Sequence, residues 1–347
     1  MCGIAGILNL DGSPTEMNIL KNMTDIISHR GPDGEGHWVE GYIGLGHRRL
    51  SIIDPTLAGH QPMISNDKRF IISYNGEVYN YREIRNELKK RGYSFNSKTD
   101  SEVVLNAFAE WGEHSVKKFN GMFAFAIWDR ANKTLFLVRD RYGIKPLYYS
   151  EQGNMIIFGS EQKAILRHPL LKTSLDLEAL LEYFTFQNIF SDHTFQKNIK
   201  LLQPASIAKI EYGKDRSLKI DQYWDYDFID NTNKINKSEY LEELDRLLKI
   251  AVKRHMISDV KLGSYLSGGI DSSAITCVAS KSIPYINTFT CGFDLTAVSD
   301  IELGYDERDK AGMMSRQFKT EHYEAVLKSG DMERSLDDLT YHLEDPR

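Results

Sequence analysis

Met1-Cys2-Gly3-Ile4-Ala5-Gly6-Ile7-Leu8 opens the chain, and its reading decides what the first half of the protein can be. Gly3–Leu8 reads as a short apolar strand whose glycines mark close approach of another backbone or a ligand. Cys2, taken alone, is a small apolar side chain near a terminus. It has a sharper chemical reading. Removal of Met1 leaves a thiol and a free α-amine on one residue, and an α-amine with a pKa of about 7.7–8.0 is partly neutral near physiological pH. A nucleophile that carries its own general base suits an N-terminal hydrolase.

The 347 residues, 41% hydrophobic and 27% charged, describe a globular chain long enough for two domains. A net charge of -6 argues against a general nucleic-acid binder or a binder of anionic membranes. No apolar run reaches the length of a membrane span, and the N-terminus lacks the pattern of a signal peptide. Three cysteines, Cys2, Cys277 and Cys291, form no disulfide framework and suit a reducing cytoplasm.

Outward from the first strand, Ser13-Pro14-Thr15-Glu16 predicts a capping box opening a helix that carries Met17, Leu20, Met23, Ile26 and Ile27. His29-Arg30-Gly31-Pro32-Asp33-Gly34 forces a loop. Strands are expected over Ile43–Leu50, Phe70–Asn75, Met122–Asp129 and Thr134–Arg139, with helices over Tyr81–Arg91 and Asp100–Trp111. Strand pairs with helices between them fit two sheets held within helical layers.

Three places in this half can carry polar chemistry. Arg48 and Arg49 lead out of an apolar strand and are either solvated or placed to grip a carboxylate bidentately. Asn75-Gly76-Glu77 is either a tight hairpin turn or an oxyanion hole built from the Asn75 amide and the Gly76 N–H. Asp100 is either a helix N-cap or, since Thr99 and Glu102 make a capping box by themselves, a carboxylate left for a ligand.

The polar segment 225–237 reads as an interdomain linker, after which Ser238 is expected to cap a helix bearing Leu241, Leu244, Leu247, Leu248 and Ala251. Val260–Ala274 then reads as strand, Ser-Gly-Gly turn and helix opened by Asp271-Ser272-Ser273. A bare Gly-Gly is an ordinary tight connection. In the full string Ser267–Ser273 the N–H groups converge beside a positive helix start, which makes a phosphate or pyrophosphate site. It is not a Walker A sequence. A strand over Tyr285–Cys291 completes a βαβ unit, followed by a helix near Glu307–Phe318, a strand near Tyr323–Leu327 and a helix near Met332–His342.

MCGIAG at 1–6, HRGPDG at 29–34, HRRLSIID at 47–54, NGEVYN at 75–80 and SYLSGGIDSS at 264–273 together resemble the glutamine-dependent asparagine synthetase family. Other glutamine amidotransferases share the initial Cys-Gly-Ile without SGGIDSS. The resemblance implies an α/β protein. A four-layer αββα glutaminase domain of the N-terminal-nucleophile type, α+β in character, spans residues 1–224. A partial Rossmann-like parallel ATP-pyrophosphatase domain spans 238–347. It implies Cys2 as nucleophile, Asn75 and Gly76 as the oxyanion hole, Arg49 on the α-carboxylate of glutamine, Glu77 and Asp100 on its α-ammonium, and backbone at Ile52 and Ile53 lining the pocket. ATP and pyrophosphate fall to Leu266, Ser267, Gly268, Gly269, Asp271, Ser272, Ser273 and Cys291, with Mg²⁺ alongside but no metal ligand assigned. Ammonia would pass internally to an acyl-adenylate.

Glutamine, ATP and aspartate are the implied substrates, nucleic acid and membrane are not implied partners, and a homodimer is compatible with the resemblance. The rival readings are an amidotransferase of the same architecture acting on another carboxylate, such as a cell-surface sugar, and a non-catalytic regulatory relative. The second domain has on the order of a hundred residues, the low end for a nucleotide-binding domain. The chain is therefore expected to be partial, to hydrolyse glutamine, and to bind ATP weakly without forming asparagine.

Overall fold

The computed structural model describes residues 1–215, 217–228, 236–294 and 306–344. It divides into two compact units, Met1–Asp227 together with Leu343 and Glu344, and Phe228–His342. Residues 229–235 of the expected linker lie outside the described residues.

The first unit runs β1 (Gly3–Asn9), α1 (Met17–Asp25), β2 (Gly34–Glu40), β3 (Ile43–Arg49), β4 (Met63–Ile64), β5 (Phe70–Val78), α2 (Tyr81–Lys90), α3 (Asp100–Trp111), β6 (Gly121–Asp129), β7 (Thr134–Arg139), β8 (Tyr148–Gln152), β9 (Met155–Gly159), α4 (Gln162–Leu166), α5 (Leu177–Phe186), β10 (Lys200–Leu201), β11 (Ser206–Glu211) and β12 (Lys219–Gln222). Two antiparallel six-stranded sheets form, ordered β10-β8-β9-β1-β3-β2 and β12-β11-β7-β6-β5-β4.

Strand alternation explains the layers. Along β1, Ile4 and Leu8 enter the core between the sheets, where Ile71, Ala124, Ala126, Leu137 and Phe158 meet them. Ala5 and Ile7 face the other way, onto Leu20 and Met23 of α1 and Ile165 of α4. On the far side, Phe108 of α3 packs edge-on against Phe70 and Phe136 of the second sheet. The order is helix, sheet, sheet, helix, the αββα arrangement. Gly6 is required where it stands, because a Cβ there would lie 2.1 Å from the Phe158 ring.

Several local expectations are corrected. Ser13 does not cap α1: its N–H and hydroxyl both bond Asp11 Oδ1, at 2.9 and 2.7 Å, and the helix starts later with Glu16 at the cap position. The Asp11 carboxylate wins because it stands two residues away in a preformed turn. Asn75-Gly76 is no hairpin turn; both residues lie inside β5, opposite Ala124 and Phe123. Strands β2 and β8–β12 and helix α5 carry no pattern strong enough to have been expected.

The second unit holds α6 (Lys237–His255), β13 (Gly263–Tyr265), α7 (Ile270–Ser280), β14 (Asn287–Phe293), α8 (Arg308–Phe318), β15 (Glu321–Leu327) and α9 (Asp331–Leu343). Its three strands are parallel in the order β13-β14-β15. Asn236, not Ser238, caps α6, its side chain accepting from the Ser238 N–H. The strand expected from Tyr285 starts at Asn287, because Tyr285 has φ +56°, which no strand residue adopts. Val252, Val278, Ala279 and Ile286 make the core between α6 and the sheet. Leu248 packs against that core, whereas Leu241, Leu244 and Leu247 are exposed.

Candidate active site

Cys2 stands one residue before β1, so the pairing of Gly3 with Arg48 fixes where its thiol lies. Cys2 Sγ accepts from the Leu50 N–H at 3.3 Å and lies 3.6 Å from the Leu50 carbonyl. The Cys2 carbonyl accepts from Arg30 Nε at 2.9 Å. Arg30 Nη1 in turn donates to Glu161 Oε1 at 2.9 Å, and Lys163 Nζ to Glu161 Oε2 at 2.6 Å, all on largely buried side chains. The 29–34 loop has a structural reason: a Cβ on Gly31 would meet the Arg48 carbonyl carbon at 2.2 Å, and Asp33 Oδ2 receives the Ser51 N–H at 2.7 Å.

The second half of β5 is an open sheet edge, since β4 covers only Ile71 and Ile72. In an antiparallel ladder, the N–H and C=O of one residue point the same way and neighbours alternate. Phe123 bonds Asp140 through both groups, so Gly76 opposite it turns its N–H away from β6, toward the open edge. Tyr74 and Val78 share that direction. The Tyr74 N–H is taken by Gln61 Oε1 at 2.7 Å, and the Val78 N–H by Asp100 Oδ2 at 3.0 Å. Between them the Gly76 N–H faces the pocket. Beside it Asn75 Nδ2 is buried and has no hydrogen-bond partner among the described residues. A buried amide donor left unpaired costs about 1–3 kcal/mol unless a ligand takes it up.

One pocket is lined by Cys2, Arg49, Ile52, Ile53, Asn75, Gly76, Glu77 and Asp100. The structure thus brings together all eight residues expected to serve glutamine. Arg49 Nη1 donates to the Thr56 carbonyl at 2.7 Å, and Nη2 to the carbonyls of Ile53 and Asp54, which locks the guanidinium against the turn. Gly59 makes room for it, because a Cβ there would sit 2.0 Å from Nη2. Only half of the expected capping box forms at α3: Thr99 Oγ1 accepts from the Glu102 N–H, while the Glu102 carboxylate bonds Asn96 and Ser97. The Asp100 carboxylate, relieved of capping, accepts the Tyr74 hydroxyl at 2.7 Å.

Electrostatics bias these groups toward their neutral forms. Burial pushes the Cys2 thiol up, only partly offset by the Leu50 N–H. Burial pulls the terminal α-amine down, with Arg30 and Lys145 acting in the same sense. That amine belongs to Met1 here and stands in for the Cys2 amine of a processed chain. Glu77 is raised by burial and by the Asp100 charge, and Asp100 by burial. A thiol beside a neutral amine is suited to nucleophilic attack, and two carboxylates short of countercharge suit an ammonium ligand.

Sequence reasoning missed Gln61, Tyr74, Ser101 and Lys145, which also line the pocket. They lie far from the quoted motifs or inside a strand, and no spacing rule singles them out.

In the second unit the loop between β13 and α7 is self-bonded. Gly268 takes φ +77°, and Gly269 caps α7 with no side-chain bond. Ser267 Oγ meets Ser272 Oγ at 2.9 Å and receives the Gly269 N–H at 3.2 Å. Ser273 Oγ is buried without a partner among the described residues, near a helix start whose first N–H groups have no intrahelical acceptor. Asp271 stands in that first turn. Leu266 uses its N–H on the Phe289 carbonyl at 2.9 Å, and its carbonyl receives the Thr290 hydroxyl. Cys291 lies exposed in β14.

Residues 1–224 match the glutamine amidotransferase domain family and residues 243–347 the asparagine synthase family. Asparagine synthetase [glutamine-hydrolyzing] 1 of Bacillus subtilis is 35% identical over 349 residues, covering 100% of this chain and 53% of its own length. A Methanocaldococcus jannaschii relative, described as "Putative asparagine synthetase [glutamine-hydrolyzing] 2", is 35% identical over 368 residues, covering 100% of this chain and 68% of its own. Among solved structures, the glutamine phosphoribosylpyrophosphate amidotransferase of B. subtilis aligns with a TM-score of 0.49 at 14% identity, over 93% of this chain and 65% of that one. The chain spans about half the length of the first curated relative it matches. With both domain families matched in order and similarity to two such relatives over the whole of residues 1–347, the chain belongs to the glutamine-hydrolysing asparagine synthetase family.

Proposed function

We propose that the protein hydrolyses glutamine at Cys2 and delivers the ammonia to an ATP-activated aspartate, giving asparagine, AMP and pyrophosphate. The observation that carries this reading is the unpartnered Asn75 Nδ2, which shares one pocket with the Cys2 thiol and the outward Gly76 N–H.

After Met1 is removed, the neutral α-amine of Cys2 takes the thiol proton as sulfur attacks the side-chain amide carbon of glutamine. Arg49 holds the α-carboxylate, the backbone at Ile52 and Ile53 lines the pocket, and Glu77 and Asp100 hold the α-ammonium. Negative charge on the tetrahedral oxygen falls to Asn75 Nδ2 and the Gly76 N–H, donors in place before reaction and worth about 2.7–4 kcal/mol apiece in comparable sites. The amine returns its proton to the departing nitrogen, which leaves as ammonia. Water, deprotonated by the same amine, then cleaves the thioester to glutamate.

In the second unit the loop Ser267–Ser273, with Leu266 and Cys291 nearby, receives ATP. Its Ser273 hydroxyl and the first-turn N–H groups of α7 suit a pyrophosphate leaving group. Mg²⁺ would accompany the nucleotide as the counter-ion of its phosphates, with no residue assigned as its ligand. No helix among the described residues is long and apolar enough to cross a membrane, and three free cysteines fit a cytoplasmic enzyme.

The test is isotopic. With glutamine labelled at its side-chain nitrogen, ATP and aspartate, a chain carrying the synthetase domain at the length of its relatives should place the label in asparagine in a one-to-one ratio with AMP, whereas residues 1–347 alone should release glutamate without asparagine. No labelled asparagine from the longer chain would overturn the acceptor while leaving the glutaminase standing. Absence of glutamate release would overturn both.

A further inference from the structure

Lys145 lines the same pocket and has no part in the reaction above. The loop that carries it is braced to a degree that a mere connection does not need. Asp140, fully buried, accepts four backbone N–H groups: Tyr142 at 3.0 Å and Ile144 at 3.1 Å on Oδ1, Phe123 at 3.1 Å and Lys145 at 3.0 Å on Oδ2. Arg139 donates to the carbonyl of Lys145 at 3.0 Å and to those of Gly143 and Leu202, both at 2.5 Å. The backbone of Lys145 is therefore held at its N–H and at its C=O, and its side chain reaches the pocket from a fixed base.

There its Nζ lies 3.2 Å from Met1 Sδ, and it forms no ion pair among the described residues. Met1 is the residue whose removal exposes the nucleophile. Removal of Met1 takes that contact away and leaves Lys145 lining the pocket it shares with Cys2, Glu77 and Arg49. A positive charge held at short range in a low-dielectric pocket disfavours a second positive charge and favours a thiolate.

We infer that Lys145 is a positioning residue of the glutaminase site: from its braced loop, its ammonium keeps the Cys2 α-amine neutral and eases loss of the thiol proton. The inference rests on the glutaminase reading above. The other charges that face these groups are accounted for. Toward the terminal amine, Glu77 and the thiol favour the charged form and Arg30 opposes it alongside Lys145. Toward the thiol, Asp100 opposes ionisation and Arg49 and the amine favour it. Toward Lys145 itself, burial and Arg30 disfavour its charge, while Glu77, Asp140 and the Cys2 thiol support it.

The test compares Lys145→Met, Lys145→Gln and Lys145→Arg in the pH profile of kcat/KM for glutamine hydrolysis. Loss of the charge raises the pKa of the amine, so the acid limb should move to higher pH by roughly one unit. The rate should fall about tenfold below the limb and meet that of the parent on the alkaline plateau. Lys145→Arg should restore the parent profile. Alkylation of Cys2 by iodoacetamide without glutamine should shift in the same direction, giving a readout independent of turnover. If Lys145→Met fails to fold, Lys145→Gln carries the comparison. An acid limb unmoved in Met and Gln variants, or a loss equal at every pH, overturns the inference. Hydrolysis that survives in Cys2→Ala overturns instead the glutaminase reading beneath it.

Discussion

The pocket of the first unit and the loop of the second are the two places proposed to offer N–H donors to a ligand, but they are assembled in opposite ways. The loop is local: Ser267–Ser273 supplies its own hydrogen bonds, a glycine at positive φ and a helix start. The pocket draws on Cys2, Arg49, Asn75, Gly76, Glu77, Asp100 and Lys145, set beside one another by two sheets and a helix. Its donors are available only because pairing with Phe123 turns Gly76 outward and because Gln61 and Asp100 occupy the flanking positions of the same edge. A local site tolerates changes elsewhere and fails when its own backbone is altered. A dispersed site separates into parts with distinct kinetic signatures.

The largest separation is expected at Cys2. Cys2→Ala should lower glutamine hydrolysis by about 10⁴–10⁶, the scale for removal of a nucleophile, without changing pyrophosphate binding at the second loop. Intact-mass measurement of the parent should show Met1 absent. Parent activity in a chain that keeps Met1 would break the assignment.

Within the pocket, Asn75 and Arg49 should part company. Asn75→Ala removes a donor that acts on the tetrahedral oxygen and should lower kcat by about 10²–10³ with little change in KM. Arg49→Ala removes a contact present before and during the reaction and should chiefly raise KM. Steady-state kinetics on both variants decides it; a change confined to KM in both would count against the oxyanion role.

The loop should fail through its backbone. Gly268→Ala would require φ +77° of a residue with a Cβ and place that Cβ 2.5 Å from Lys310 Cβ and 2.8 Å from Ala311 N. Strain of about 1–3 kcal/mol should weaken ATP or pyrophosphate binding by roughly tenfold or more in calorimetric titration, while glutaminase kcat stays at the parent value. Loss of both activities together would show the two sites to be less independent than their construction indicates.

The smallest effect concerns pH. Glu77 and Asp100 are held above the ordinary carboxylate range by burial, and for Glu77 also by its neighbour. A raised carboxylate loses its charge at higher pH than a solvated one, so KM for glutamine should rise as pH falls through that raised range and level off above it. Tyr74→Phe removes the hydroxyl that donates to Asp100; a bond of this charged kind contributes about 1.5–3 kcal/mol, so KM should rise further and its acid rise should begin at higher pH. A KM independent of pH across the carboxylate range in the parent would remove these two groups from ammonium recognition.

How far the sequence reaches differs between the two regions for the same reason. Strand β7 and helix α3 were expected over the residues they occupy, because alternation and 3.6-residue periodicity are properties of neighbouring positions. The Ser-Gly-Gly turn and the helix after it belong to the same class. The starts of α1 and α6 and of β14 were misplaced where a side chain or a positive φ outside the pattern intervened, at Asp11, Asn236 and Tyr285. Asn75-Gly76 shows the limit most clearly: the dipeptide is compatible with a hairpin, and only pairing with β6 places it inside a strand with its N–H turned to an open edge.

By itself, then, the sequence determined the period of the strongly patterned elements, the Ser-Gly-Gly turn ahead of its helix and, through five motifs in order, the family. Tertiary structure alone decided how the eight residues the resemblance assigned come to line one pocket, and it added Gln61, Tyr74, Ser101 and Lys145 to them. Alternation says that a side chain faces inward but not which strand lies opposite, and no sequence spacing relates position 145 to position 2. The orphaned Asn75 amide and the Gln61 side chain standing in for a neighbouring strand exist only in the folded unit, and only there does the lysine, braced largely by residues 139–145 of its own loop, share a pocket with Cys2.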